Sequence, residues 1–210
     1  MLADEFFLVA WDTTGTGKPR LHGHGVALGL AGALIGELVM ASRVAVRGPL
    51  LQPVDQRQVG ERVADAVLAD MIASPQHTDV RTWLAYLAQR SVADVSSRLV
   101  ESGFLRREEP KFLKSRQCRY FAEDFGRAVW PSTRIRMALV RGQPLAPPDM
   151  ALAALIEACD LTGQLVEDPT ERRTAKRYLA TVLAAMPSSL TDLAHHLSAA
   201  FGDAVLTYRS

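Results

Sequence analysis

The chain has 210 residues, 48% hydrophobic and 22% charged, which is enough for one sizeable core and outside the compositions of disordered, collagen-like or disulfide-rich chains. Its two cysteines, Cys118 and Cys159, have no CxxC spacing, which argues against a thiolate zinc site or a disulfide framework and fits a reducing compartment. The net charge of +1 hides an asymmetry: residues 104–141 hold ten Lys/Arg against four Asp/Glu, a net +6, while residues 1–103 and 142–210 are both acidic. Such a block is either a face that meets lipid or nucleic-acid phosphates or a solvated arginine-rich surface.

Leu2 to Trp11 reads as a short apolar helix with Asp4 and Glu5 at its N-terminus, where the helix dipole favours acids. Those acids and the lack of a basic n-region do not fit a secretory signal, so a cytoplasmic protein is expected. DTTGTGKP follows as a loop. Its TGTGK portion lacks the first glycine of a phosphate loop and has Pro19 where the hydroxyl belongs, so it reads as a turn.

HGVALGLAGALIGELVMASR, from His24 to Arg43, is the most apolar stretch. Its uncharged run, Gly25 to Gly36, is twelve residues, short of the roughly 20 that a helix needs to cross the hydrocarbon core. Apolar residues on nearly every face, with glycines among them, predict a central helix surrounded by others. RVAVRGPLLQPV predicts a hairpin turning at Arg47-Gly48, and Val59 to Ala73 has helical spacing.

Asp79 is placed to cap a helix carrying Val80, Trp83, Leu84 and Leu87, and SVADVSSRLVESG predicts a second helix stopped by Gly103. A hairpin is expected next, with Phe104 to Arg107 going up, Gln117 to Phe121 coming down and a tip at Glu109 to Arg116. Pro131 is expected to break the chain, with helices over Ser132 to Arg141, Pro148 to Asp160, Thr170 to Met186 and Leu190 to Val205. The fold class is mainly α: a single-domain helical bundle over residues 1–210 around a central apolar helix, with one or two β-hairpins.

Candidates for catalysis are thin. His22 and His24 are two apart without a clear third ligand, and His195 and His196 are adjacent on a helix and point in different directions. There is no GxSxG, HExxH or Cys/His set. No enzyme, metal or other cofactor is expected.

The hairpin tip offers more. Phe112 and Leu113 stand between Lys111 and Lys114, with Arg106, Arg107, Arg116 and Arg119 along the strands. Apolar groups inside a ring of cations suit a membrane interface, where they enter the acyl boundary while the cations meet anionic headgroups. The same residues could instead fold back onto the core or join a second copy. Helix, helix and basic hairpin is also the order of a winged-helix DNA reader, but VADVSSRLVESG offers one Arg against two acids, poor equipment for phosphates or guanine edges, so nucleic acid is not the expected partner.

DEFFLVAWD, GLAGALIGELVMASRVAV, VRTWLAYLA and RLVESGFLRREEPKFL, in that order, resemble the Golgi phosphoprotein 3 family over nearly the whole chain. The resemblance implies a mostly helical, noncatalytic peripheral membrane protein that recognises phosphatidylinositol 4-phosphate and inserts a hydrophobic hairpin tip; eukaryotic members also retain glycosyltransferases in the Golgi. It places the inserting tip at Phe112 and Leu113; the headgroup candidates are Lys111, Lys114 and Arg116 beside that tip, His22, and Arg90, which falls near the first of the family's pair of pocket arginines when a gap is allowed. His22 stands where the family has its pocket tryptophan, Ala31 where it has a helix arginine, and Val92 or Ala93 at the second of an arginine pair. The Ala, Arg, Leu and Val richness resembles bacterial members. General binding to an anionic phospholipid surface is the expected function, with homo-oligomer formation through the hairpin as a further partner.

Overall fold

The computed structural model describes residues 1–109 and 118–209. The first helix, α1 (Leu2–Ala10), buries Phe6 and Phe7 completely, and α2 (Gly23–Met40) runs through the middle of the molecule. Around α2 pack α1, α3 (Arg62–Ala73), α4 (Val80–Ala88), α5 (Ser91–Glu101), α7 (Pro147–Ala158) and α10 (Ser188–Arg209). Apart from Ala138, the buried apolar side chains form one contiguous cluster.

Small residues on α2 are what let its neighbours in. A Cβ at Gly29 would lie 2.2 Å from Cζ of Phe6, and one at Gly32 would lie 2.9 Å from a methyl of Leu197. Between these gaps Leu30, Leu34, Ile35 and Leu38 are fully buried, each contributing about 1.5–3 kcal/mol of apolar burial. The helix is longer than its uncharged run: at 18 residues it is long and apolar enough to pass for a membrane span, but 78% of it is buried inside the fold. Its place is the core, as its all-round apolar pattern predicts.

Among the described residues there are also two antiparallel two-stranded sheets. In the first, β1 (Val44–Arg47) pairs with β2 (Leu50–Pro53), Val44 opposite Pro53, and Gly48 turns the chain at φ +53°. In the second, β3 (Leu105–Glu108) pairs with β4 (Arg119–Ala122), Leu105 opposite Ala122 and Glu108 opposite Arg119. Caps fix the starts of α3 and α4: Glu61 accepts from the amides of Val63 and Ala64, and Asp79 from that of Thr82.

One predicted boundary is wrong. Instead of breaking at Pro131, the chain forms one helix, α6 (Phe125–Arg141), straight through it. Asp124 caps the start by accepting from Arg127 N–H, Gly142 at φ +63° ends the helix, and the Pro131 ring is buried. Capping and burial thus offset the backbone hydrogen bond that proline cannot make. The short α8 (Thr162–Leu165) and α9 (Pro169–Ala185) follow α7; α8 was not legible in the sequence, being a single turn without an apolar period.

Candidate functional site

The hairpin is fastened to the core at its base. The Phe7 and Trp11 rings stack with centroids 4.9 Å apart, and the Tyr120 ring of β4 meets both edge-on, at 5.6 Å and 5.3 Å. Ser96 of α5 donates to the Tyr120 hydroxyl at 3.0 Å. The turn after α1 is tied to β4 by two hydrogen bonds: Tyr120 N–H donates to Gly17 O and Ala122 N–H to Thr13 O. Trp11 Nε1 also donates to Gly17 O, at 2.8 Å.

This gives the TGTGK turn a structural role. Gly17 adopts φ +68°, a conformation that L side chains rarely take, and a Cβ there would lie 2.6 Å from Cζ of Phe121. Asp12 holds the turn by accepting from Thr16 N–H at 2.7 Å, which with the charge of Arg20 keeps its carboxyl below the ordinary aspartate range.

Along the ribbon, Arg106 pairs with Glu108 and lies 5.3 Å over the Phe121 ring, and Arg107 pairs with Glu109 at 2.9 Å and with Cys118 Sγ at 3.2 Å. Lys111, Phe112, Leu113, Lys114 and Arg116 lie outside the described residues. They join Glu109 to Cys118, between the ends of β3 and β4.

The basic segment draws acids from both flanks. Arg134 bridges Glu5 at 2.8 Å and Asp149 at 2.6 Å, and Arg136 pairs with Glu171 at 2.8 Å. Its +6 therefore does not stay on one face: α6 returns part of it to α1, α7 and α9.

The positions matched to the family's headgroup pocket are dispersed in their contacts. His22 caps α2, its Nδ1 accepting from Gly25 N–H at 3.1 Å, with its ring 5.6 Å from that of Phe201. Burial and the neighbouring His24 push its pKa below the ordinary histidine value, favouring the neutral ring. Arg90 gives Nη2 to Asp70 at 2.6 Å, approaches Asp94 at 3.5 Å and lies 5.7 Å over the Tyr86 ring. Ala31 is fully buried, Val92 half-buried and Ala93 exposed.

An ionic knot that sequence reasoning missed lies beneath α5. Arg98, 12% exposed, reaches Asp4 at 2.7 Å, Glu61 at 2.7 Å and Glu37 at 3.8 Å. Glu37 also accepts from Ala3 N–H at 2.9 Å, and burial pushes its carboxyl up despite that hydrogen bond and the Arg98 charge. The one cation of the would-be DNA recognition helix is thus spent inside the protein.

No curated protein sequence matches the chain. A family model described as Golgi phosphoprotein 3 (GPP34) matches residues 2–204. With the apolar central helix, the anchored hairpin and a match of this extent, the chain belongs to the Golgi phosphoprotein 3 family.

Proposed function

We propose that this protein is a noncatalytic, single-domain peripheral membrane protein that docks on anionic phospholipid surfaces from the cytoplasm. Phe112 and Leu113 enter the acyl boundary, and Lys111, Lys114 and Arg116 hold headgroup phosphates. The supporting observation is the anchoring of the ribbon: a basic, apolar-centred KFLK segment joins two strands that Tyr120 pins to Phe7, Trp11 and the 12–19 loop. A wedge on a fixed ribbon loses less freedom on binding than one on a free loop.

The magnitudes suit reversible docking. Each cation near an anionic surface contributes about 1 kcal/mol, and burying Phe112 and Leu113 about 1.5–3 kcal/mol each. Arg90 and His22 play a lesser part in this reading, because Arg90 must leave Asp70 and Asp94 before it can serve a phosphate, and His22 is largely uncharged at neutral pH.

The test is flotation with phosphatidylserine-containing and pure phosphatidylcholine vesicles at low and high salt. Binding only to the anionic vesicles, weakened by salt and reduced roughly 100-fold or more by Phe112→Asp with Leu113→Asp, is the expected result. Equal binding to both vesicle types, or an unaffected double variant, would contradict the proposal.

A further inference from the structure

A surface cleft of about 170 Å³ lies where α1, α6 and the α8 turn meet, on a floor of Leu8 and Val9. Its polar wall is made by Arg20, Ser132, Thr133, Arg136 and Gln164. Among the described residues no carboxylate lines it. None of the positions matched to the family's headgroup pocket lines it either, His22, Ala31, Arg90 and Val92 all lying elsewhere.

The two guanidiniums come from segments far apart in sequence, and each is steadied by one acid outside the wall. Arg20 gives Nη2 to Asp12 at 3.1 Å, and Arg136 gives Nη2 to Glu171 at 2.8 Å. For both, Nε and Nη1 have no hydrogen-bond partner among the described residues. Asp12 is itself held by Thr16 N–H, so Arg20 is fastened through the same turn that seats the hairpin. A guanidinium held at one nitrogen keeps donors in fixed directions, which favours a bidentate oxyanion partner.

Neutral donors complete the wall. Gln164 Nε2 uses one hydrogen on Arg20 O at 3.3 Å and keeps a second, and the Thr133 hydroxyl makes no hydrogen bond among the described residues. Ser132 directs its hydrogen to Val129 O, so it offers only lone pairs. Two cationic forks, an amide and a hydroxyl suit a group with three acceptor oxygens better than a planar carboxylate with two. The volume exceeds that of the ion and leaves room for the carbon side of an ester.

We propose that this cleft binds a phosphate monoester, supplied either as a soluble metabolite or as the headgroup of a lipid. The site is separate from the KFLK wedge and stands or falls independently of it.

Calorimetric titration with inorganic phosphate and with glycerol 3-phosphate tests the chemistry. Saturable uptake by the wild type is expected, weakened at least tenfold in Arg20→Gln and in Arg136→Gln, and unchanged in Arg57→Gln, which alters an exposed arginine paired with Asp55 elsewhere. Thr133→Glu changes an exposed residue and places a carboxylate on the wall, so it abolishes uptake without disturbing the core. Vesicles separate the two sources: a lipid ligand gives tighter binding to phosphatidylcholine vesicles with phosphatidic acid, a monoester, than to ones with phosphatidylserine, and Thr133→Glu removes the difference. With a soluble ligand, titration succeeds and the vesicles show no such difference. The Phe112→Asp with Leu113→Asp variant keeps phosphate uptake even where it loses vesicles. Neither phosphate uptake nor monoester preference in the wild type, or uptake unaltered in Arg20→Gln, Arg136→Gln and Thr133→Glu, would overturn the proposal.

Discussion

Arg98 and Asp4, 94 residues apart in the chain, meet at 2.7 Å and tie α5 to α1. The same guanidinium holds Glu61, the cap of α3, and faces Glu37 of α2, so four helices converge on one cation. Replacing Arg98 by Met leaves three carboxylates facing one another in a largely buried place. A loss of about 3–5 kcal/mol is expected, since removing one partner strands the others without a counter-charge. Urea denaturation of the wild type and Arg98→Met measures it; a loss below about 1 kcal/mol, typical of exposed pairs, would contradict the assignment.

Glu37 gives this knot a pH signature. Burial raises its folded-state pKa, so its contribution to stability is fully present below the ordinary glutamate pKa of about 4.3 and is lost as pH rises through the raised value. Glu37→Gln keeps an oxygen for Ala3 N–H and removes the titration. The stability of Glu37→Gln relative to wild type is therefore expected to grow as pH rises from about 4 and then level off. Urea midpoints across the pH range check this, and a pH-independent difference would count against it.

Gly17 decides how the ribbon is seated. Alanine there meets both a left-handed φ and a close approach to the Phe121 ring, and a loss of about 2 kcal/mol or more is expected. Gly48→Ala is the comparator: its φ is also positive, but nothing lies within 4 Å of the added Cβ. Hydrogen exchange at the Tyr120 and Ala122 amides, which donate into the 12–19 loop, should accelerate in Gly17→Ala and not in Gly48→Ala. Equal effects of the two variants would show that contact with Phe121 is immaterial.

What the sequence revealed was what local chemistry controls. The all-round apolar character of α2, the Asp79 cap and the hairpin turn at Arg47-Gly48 are set within a few residues, and each appears in the structure. Pro131 misled because its cost is local while the capping and burial that offset it depend on the whole helix and its packing. The Arg98 knot and the pairing of Arg134 with Glu5 and Asp149 join distant segments, and no spacing rule announces them. The phosphate cleft was hidden for the same reason, Arg20 and Arg136 being 116 positions apart (136 − 20) in the sequence. The KFLK segment was legible as chemistry, a pair of apolar residues between lysines, and the function proposed for it rests on that chemistry and on the paired strands that flank it in sequence.

The most direct test of the membrane proposal is a polarity-sensitive fluorophore at position 113. Leu113→Cys in a Cys118→Ser background can be labelled selectively, because Cys159 is buried and burial raises its thiol pKa far above the ordinary value. The predicted result is a blue shift and quenching by bromine-labelled acyl chains when phosphatidylserine-containing vesicles are added, and neither with phosphatidylcholine alone. A probe that remains in water while the protein floats with anionic vesicles would contradict the claim that Phe112 and Leu113 are the point of insertion.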